Sequence, residues 1–201
     1  MEKTLKMKEI MAIVYFDIEK AYDSMWRDGL LIKLSRMGIG GRMYNWVRAF
    51  LTDRTFRVKV GADISNYFEI ENGIPQGSAV SPILFNIMIN DIFTCLDTCI
   101  QLALYADDGA IWMRGRNAPY VMENIARAIK KVERWSYNWG FKMSESKSCY
   151  MVFTNKRKID GQQLTLYDRP MTKVNEFKYL GLWFDSKYTW KMHINQVETK
   201  G

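Results

Sequence analysis

The feature that most constrains this chain is a run of seven almost uninterrupted apolar residues, Ile10–Phe16, that ends at Asp17. A run this short and this apolar fits a strand buried in a sheet. The pattern therefore predicts that Asp17 lies at the end of a buried strand, where its carboxylate emerges at the edge of the sheet.

A pair of acids, Asp107 and Asp108, follows 90 residues later, between the apolar runs Gln101–Tyr105 and Ala110–Met113. This arrangement predicts two short strands joined by a tight turn, with both acids at the tip of the hairpin. If this hairpin lies beside the first strand, the three carboxylates converge. Hard cations such as Mg²⁺ prefer carboxylate oxygens, although an isolated Asp-Asp pair is common in turns and does not by itself define a metal site.

Hydrophobic periodicity and turn residues predict further elements around these acids. Helices are expected over Gly29–Met37, over Arg42–Leu51, from Pro82 to about Cys95, from Ala118 to Trp139 and over Lys187–Lys200. Strands are expected over Ser148–Phe153, Leu164–Tyr167, Glu176–Phe184 and Arg54–Val60, the last paired with Tyr67–Ile70, and a turn-rich stretch over 155–161. Strands and helices in this mixture predict an α+β fold.

The net charge of +7 is distributed unevenly along the chain. Residues 1–100 contain 12 basic and 12 acidic side chains, whereas residues 101–201 contain 17 and 10. The basic residues Arg127, Lys130, Lys131 and Arg134 share one face of the longest predicted helix. Such a face is either solvated charge or a ridge that meets a phosphate backbone, and the sequence leaves both interpretations open.

Metal chemistry based on nitrogen and sulfur ligands is severely limited by composition, since the chain has three cysteines, one histidine and no CxxC or HExxH motif. Cys95 and Cys99 are interpreted as helix-core thiols and Cys149 as part of a strand. An odd cysteine count without a disulfide framework favours a reducing, intracellular compartment, nuclear or cytoplasmic. The sequence shows no signal peptide, and it contains no run of about 18 apolar residues that would predict a membrane-spanning helix.

Five segments in order resemble motifs A to E of the reverse transcriptase family: residues 16–23 (FDIEKAYD), 73–82 (GIPQGSAVSP), 105–108 (YADD), 140–147 (GFKMSESK) and 177–181 (FKYLG). The sequences of these segments are most similar to those of non-LTR retrotransposon (LINE-type) enzymes. Residues 190–194 (WKMHI) resemble an early thumb segment of that group. The resemblance covers roughly residues 10–196. It implies a polymerase palm, with a ferredoxin-like antiparallel sheet and packed helices, plus part of the fingers.

Domain limits follow from the same resemblance. Residues 1–186 would form the palm with partial fingers, of which about 27–80 lie on the fingers side, and residues 187–201 would begin a truncated thumb. Because the family carries further fingers strands upstream of motif A, the chain is interpreted as a palm-centred fragment of a longer polyprotein or as a decayed copy.

The implied activity is RNA-directed DNA synthesis: two-metal nucleotidyl transfer of dNTPs onto a DNA primer that is annealed to an RNA template. Asp17, Asp107, Asp108 and the Ile18 carbonyl would hold two Mg²⁺ ions, for which Mn²⁺ is a possible substitute. The first acid of the pair would bind metal directly and the second more loosely. Lys147 matches a motif D lysine proposed to protonate the leaving pyrophosphate, although Ser144 stands where these enzymes often carry asparagine.

The resemblance also assigns binding roles. Tyr22 would be a steric gate against ribonucleotides, and the other nucleotide-binding residues would be Gln76, Gly77, Tyr105 and Ala106. The primer grip would comprise Tyr179, Leu180 and Gly181. An aromatic residue packed beside a strand is the alternative for Tyr22, and Asp23 is expected to cap a helix or form a salt bridge rather than bind metal.

Two other functions are compatible with parts of the sequence. One is a catalytically incompetent nucleic-acid-binding remnant of such an element, which the basic C-terminal half favours. The other is a palm-fold enzyme of another class, such as a nucleotide cyclase, but the GIPQGS and YADD segments argue against it.

Overall fold

The computed structural model describes residues 9–154 and 162–199, so the predicted turn over 155–161 lies outside the described residues. The helices are α1 (Arg27–Arg36), α2 (Gly41–Leu51), α3 (Ser81–Ile89), α4 (Ala118–Asn138) and α5 (Lys191–Glu198). The strands are β1 (Ile10–Phe16), β2 (Thr55–Phe56), β3 (Lys59–Val60), β4 (Asp63–Ile64), β5 (Phe68–Glu69), β6 (Gln101–Tyr105), β7 (Asp108–Gly115), β8 (Cys149–Phe153), β9 (Thr165–Leu166), β10 (Arg169–Pro170), β11 (Thr172–Lys173), β12 (Glu176–Tyr179) and β13 (Leu182–Asp185). The predicted α+β class is confirmed.

The chain divides into two compact units, and the described residues of the first are 9–18, 92–137, 142–154 and 162–199. Its centre is a five-stranded sheet in the order β11-β8-β1-β7-β6. Strand β1 runs antiparallel to both neighbours, and only the β11–β8 pair is parallel. All seven residues of Ile10–Phe16 are buried, as the apolar run predicts.

Two sets of buried side chains stabilise this unit. On one face of the sheet a cluster contains Met11, Ile13, Tyr15, Ala110, Cys149, Met151 and Phe153. Along α4, apolar side chains at three- and four-residue steps form a buried stripe, since Val121, Ile125, Ala128, Ile129 and Val132 are each no more than 1% exposed. Burial raises the pKa of the Cys149 thiol to about 11, which keeps it protonated at neutral pH.

The second unit contains residues 19–91 and 138–141, and with them α1, α2 and α3. The central polar contacts of this unit are made by the buried Lys33, whose burial the sequence pattern did not indicate. The Lys33 ammonium hydrogen-bonds Asp91, donates to the Met88 carbonyl at 2.5 Å and lies 3.9 Å from the centre of the Trp139 ring. Burial lowers the pKa of Lys33 and Asp91 opposes that shift. Asp91 thus has an ammonium partner, although its own side chain is 40% exposed.

One helix is shorter than predicted. Helix α3 ends at Ile89 instead of near Cys95, because Asn90 and Asp91 are poor helix formers and the chain then continues through turns. Cys95 and Cys99 consequently lie in turns and are exposed. The expectation of two helix-core thiols was wrong, whereas Cys149 lies in a buried strand as expected.

Two predicted strands are divided in the structure. The Arg54–Val60 run is interrupted after Phe56. Beside β3 and β4, the Ser65 hydroxyl accepts a hydrogen bond from the Val58 amide, and the Ser65 amide donates to the Val58 carbonyl. Strand β2 then pairs with β5, and β3 with β4. The Glu176–Phe184 run forms the β12–β13 hairpin, whose turn residues Leu180 and Gly181 both have positive φ.

The C-terminal helix begins later than predicted. The Asp185 carboxylate accepts hydrogen bonds from the backbone amides of Lys187, Thr189 and Trp190, which fixes a non-helical turn before α5 starts at Lys191. These amide donors also lower the pKa of Asp185, although its burial opposes that shift. The first turn of the predicted helix is thus replaced by an aspartate-centred loop.

Candidate active site

Asp17 lies immediately after β1 and is held through its backbone. Its amide donates to the Ser148 hydroxyl at 3.2 Å, and its carbonyl accepts from the Ser144 amide at 2.7 Å. Its carboxylate oxygen Oδ1 is buried and has no hydrogen-bond partner among the described residues. The Nζ of Lys147 lies 3.7 Å from that oxygen. A fixed carboxylate with a buried, unsatisfied oxygen is suited to receive a cation.

The acidic pair is presented by the β6–β7 hairpin, whose two-residue turn is Ala106 and Asp107, with Ala106 at a φ of +50°. Strands β1 and β7 pair Phe16 with Gly109, so Asp17 and Asp108 are the next residues in the same register. Positions opposite each other in an antiparallel pair project to the same face. Asp17 and Asp108 therefore belong to one face of the sheet.

A cavity of about 320 Å³ opens at this point of the first unit, and its lining is Tyr15, Phe16, Asp17, Asp108, Lys147, Phe177 and Tyr179. Two of the three predicted metal-binding aspartates share this cavity, and Asp107 lies in the adjacent turn. Ile18, whose carbonyl was the fourth expected ligand, is buried opposite Met143 in an isolated antiparallel bridge.

The electrostatics of the cavity favour a cation. Burial raises the pKa of Asp108 above its usual 3.8, and the charges of Asp107 and Asp17 raise it further. Within 9–154 and 162–199, no three acidic, histidine or cysteine side chains form a group that could hold a metal ion unaided. Mg²⁺ is usually bound by one or two carboxylates and completed by waters and substrate phosphates. The Asp17–Asp108 pair fits a site of that substrate-completed kind.

The raised pKa of Asp108 has a consequence for stability. Native Asp108 retains its proton to higher pH than the unfolded chain does, so the free energy of unfolding falls as the pH rises from 3.8 through the native pKa. We expect Asp108→Asn to raise the midpoint of thermal unfolding at pH 7 by roughly 1–3 °C in metal-free buffer, a small effect because the group is partly exposed.

The pH dependence distinguishes this explanation from a general effect of the substitution. The stability difference should disappear in calorimetry below pH 3.8, where both states bind the proton. Asp63→Asn, an exposed control on β4, should show neither effect. A less stable Asp108→Asn protein at pH 7 would mean that favourable contacts of the carboxylate outweigh its repulsion.

The β12–β13 hairpin contributes the other wall of the cavity. The Tyr179 hydroxyl donates to the Asp108 carbonyl at 3.2 Å, and the Phe177 ring stacks on Tyr15 with centroids 4.3 Å apart. Burial and the Asp108 charge raise the pKa of the Tyr179 phenol, so it remains a donor. Sequence reasoning missed Tyr15, although its position two residues before Asp17 on one strand was a usable signal.

Lys147 lies in a turn that is attached to Asp17 at both ends. The hydroxyls of Ser144 and Ser146 are 3.3 Å apart, and the Ser148 amide donates to the Ser144 carbonyl at 2.9 Å. The serine found at the usual asparagine position thus takes part in the turn. The Lys147 side chain is 71% exposed, so its ammonium is tethered near Asp17 but is not rigidly held.

The remaining nucleotide-binding candidates lie partly in the second unit. The Tyr22 ring stacks on Phe85 with centroids 4.9 Å apart and an interplanar angle of 13°. The Gln76 amide donates to the Asp23 carboxylate at 2.9 Å. Asp23 thus accepts from Gln76, and the described residues give it neither the capping role nor the salt bridge that was expected. Tyr105, in the first unit, is 68% exposed.

The loop that carries Gln76 is attached to the segment after Asp17. Gly73 has a φ of +83° and donates its amide to the Met25 carbonyl at 2.8 Å, while the Ile74 amide donates to the Tyr22 carbonyl at 2.9 Å. A Cβ at Gly73 would lie 2.7 Å from the Asp23 carbonyl oxygen, which excludes other residues. Gly77 has a φ of +85° in open space, so only its backbone conformation favours glycine.

The basic face of α4 is largely paired within the first unit. Lys130 contacts Glu133 and Asp168, Lys131 contacts Asp97 at 2.7 Å, and Arg127 donates to Asn124. Side chains that already have acidic or amide partners are less available to phosphate. Of the two interpretations of this face, the structure favours solvated, ion-paired charge.

The central sheet, with carboxylates at a strand end and a hairpin tip, has the fold of a polymerase palm. Solved structures of telomerase from Candida tropicalis share it: one apo form truncated from the C-terminal domain has a TM-score of 0.61 at 16% identity and covers 88% of this chain and 34% of that chain. A second, in complex with a fragment of telomeric RNA, has a TM-score of 0.63 at 13% identity, covering 92% and 29%. Identities this low show the fold alone.

The family follows from sequence similarity. The model described as reverse transcriptase (RNA-dependent DNA polymerase) matches residues 2–184, and the chain belongs to this family. It is 28% identical to the RNA-directed DNA polymerase from mobile element jockey of Drosophila melanogaster over 98% of this chain, and 26% identical to the Pol polyprotein of retrotransposable element R2 of Popillia japonica over 87%. These relatives confirm the resemblance to LINE-type non-LTR retrotransposon enzymes.

The chain spans 22% of the jockey protein and 31% of the R2 polyprotein, so it corresponds to a minor part of each relative. In the described part of the chain, no helix combines the length and apolar character needed to cross a membrane.

Proposed function

We propose that this chain is the catalytic core of an RNA-directed DNA polymerase, which adds dNTPs to a DNA primer annealed to an RNA template. The observation that carries the proposal is the cavity shared by Asp17 and Asp108, in which a buried carboxylate oxygen lacks a hydrogen-bond partner among the described residues. The match of residues 2–184 to the reverse transcriptase family supports the choice of reaction.

The metal ligands in this proposal are the carboxylates of Asp17, Asp107 and Asp108 with the Ile18 carbonyl, and the cations are two Mg²⁺ ions or Mn²⁺ in their place. When bound, such ions lower the pKa of the primer 3′-hydroxyl and neutralise charge on the triphosphate. The unsatisfied Asp17 oxygen and the raised pKa of Asp108 both support a cation here, since each reflects negative charge without sufficient compensation.

Lys147 would donate a proton to the leaving pyrophosphate. A general acid must combine reach with mobility, and the 71% exposed Lys147 side chain on a turn attached to Asp17 meets both requirements. The 3.7 Å ion pair with Asp17 would hold the ammonium near the cavity before substrate binds.

Substrate contacts are assigned to residues around these groups. Tyr22 would exclude the ribose 2′-hydroxyl, Gln76 and Gly77 would contact the nucleotide and template, and Tyr105 and Ala106 would line the nucleotide site. Tyr179, Leu180 and Gly181 would grip the primer, which the position of Tyr179 in the cavity supports. In domain terms, residues 1–186 are palm with partial fingers over about 27–80, and 187–201 begin the thumb.

Primer extension tests the proposal. The purified chain, incubated with an RNA template, an annealed DNA primer, dNTPs and Mg²⁺, is expected to lengthen the primer, and Asp107→Asn is expected to lose that activity. Equal extension by both proteins would refute the catalytic assignment. No extension by either, together with RNA binding that weakens steeply as salt increases, would instead identify a nucleic-acid-binding remnant.

A further inference from the structure

Arg27 is the first residue of α1, and its position is not explained by the helix. The N-terminus of a helix carries partial positive charge, so a cation in the first turn is unfavourable. The next residue, Asp28, has the charge that a helix N-terminus favours. The guanidinium of Arg27 must therefore be stabilised by contacts outside α1.

Those contacts are three backbone carbonyls of one short segment in the same unit. Arg27 donates from Nη1 to Ile70 at 2.6 Å, from Nη2 to Asn72 at 3.0 Å and from Nε to Gly73 at 2.9 Å. The planar guanidinium presents its donors in a fixed fork, which allows one side chain to bind three carbonyls in a defined arrangement. We call this set of contacts the Arg27 clamp.

The clamped segment leads directly into the loop that carries Gln76. Gly73 and Ile74 are bound by their amides to the Met25 and Tyr22 carbonyls, and the Gln76 amide reaches Asp23. On the far side, the Ser81 hydroxyl donates to the Pro75 carbonyl at 2.5 Å. The loop is thus held at its start by Arg27 and at Pro75 by Ser81.

We propose that Arg27 is a positioning residue, which sets the conformation of the 73–77 loop and thereby the placement of Gln76 for nucleotide binding. The proposal rests on the function proposed above for that loop, but the clamp itself is defined by geometry alone. Arg27 is partly buried, and burial together with the nearby Arg54 charge lowers its pKa, so holding the guanidinium there has a cost that the carbonyls offset.

Hydrogen exchange tests the clamp without requiring activity. In Arg27→Gln, the amides of Gly73 and Ile74 are expected to exchange about 10-fold faster or more, since losing even one charge-assisted hydrogen bond costs about 1.5 kcal/mol. Arg27→Lys should be intermediate, because an ammonium binds from a single point. The exposed Arg48→Gln on α2 is the control and should leave the loop unchanged.

Two outcomes of that measurement would overturn the proposal. One is unchanged exchange at Gly73 and Ile74 in Arg27→Gln. The other is an equal acceleration at Leu30 and Leu34 within α1, which would show that the substitution loosens the helix rather than the loop.

Steady-state kinetics distinguish positioning of the loop from a purely structural role, because a purely structural role would not change KM selectively. Arg27→Gln is expected to raise KM for dNTP about 10-fold with kcat changed less than about 2-fold. A partly unfolded variant would instead lose kcat with KM unchanged, and that result would contradict positioning. If the wild-type chain extends no primer, the proposed function fails, while the exchange measurement still decides whether the clamp orders the loop.

Discussion

Asp17→Asn is expected to lower Mg²⁺-dependent primer extension by about 1,000-fold or more. The amide is nearly isosteric but carries no charge, so the buried Oδ1 position would no longer neutralise a cation. Metal ions supply several kcal/mol of transition-state stabilisation, and each 1.36 kcal/mol corresponds to a factor of ten in rate. The measurement is single-turnover extension over a range of Mg²⁺ concentrations.

The fold should survive this substitution. The backbone of Asp17, which bonds Ser144 and Ser148, is unaffected by a change in the side chain. Removing one of the facing charges also relieves Asp108, whose pKa should fall. Asp53→Asn is a matched control, because Asp53 is exposed and has a φ of +53°, a conformation that asparagine adopts readily. Near-normal extension by folded Asp17→Asn protein would eliminate Asp17 as a metal ligand.

Tyr22→Ala is expected to raise the use of ribonucleotides relative to deoxynucleotides by about 100-fold. If the Tyr22 ring occupies the space that a 2′-hydroxyl needs, removing it deletes a steric barrier, and discrimination on a single hydroxyl by shape is worth about that factor. Competing extension with each dNTP and the matching rNTP, expressed as a ratio of kcat/KM values, measures the effect.

The stacked Phe85 makes a control necessary. Because Tyr22 packs face to face on Phe85, its loss also removes apolar contact and should lower the thermal midpoint. Tyr22→Phe retains the ring and the stack, and it is expected to discriminate as wild type does. A Tyr22→Ala protein that is less stable yet discriminates normally would identify Tyr22 as a packing residue.

Local patterns were sufficient for the elements that carry the acids. The apolar run before Asp17 predicted a short buried strand, and the turn at Ala106 and Asp107 follows from two apolar runs with polar residues between them. The α4 stripe is equally local, because it depends on a 3.6-residue period that side-chain burial then satisfies. These features depend on neighbours in sequence.

Polar contacts between residues distant in sequence could not be predicted from local sequence patterns. The Arg27 clamp joins residues more than 40 positions apart, and Ser148 reaches Asp17 across 131 positions. From the sequence, Lys33 is expected to be an ordinary exposed lysine of its helix, yet it is buried and forms an ion pair with Asp91. A single polar side chain has no periodicity, so the sequence does not indicate which distant carbonyl or carboxylate it will meet.

The sequence by itself therefore determined the α+β class, the reverse transcriptase motifs and the position of each acid at a strand end or turn, because strand and turn propensities act over a few residues. Only the tertiary structure decided that Asp108, rather than Asp107, shares a cavity with Asp17. The reason is register. Pairing of Phe16 with Gly109 places Asp17 and Asp108 on one face of the sheet, and pairing between strands distant in sequence is set by the packed core.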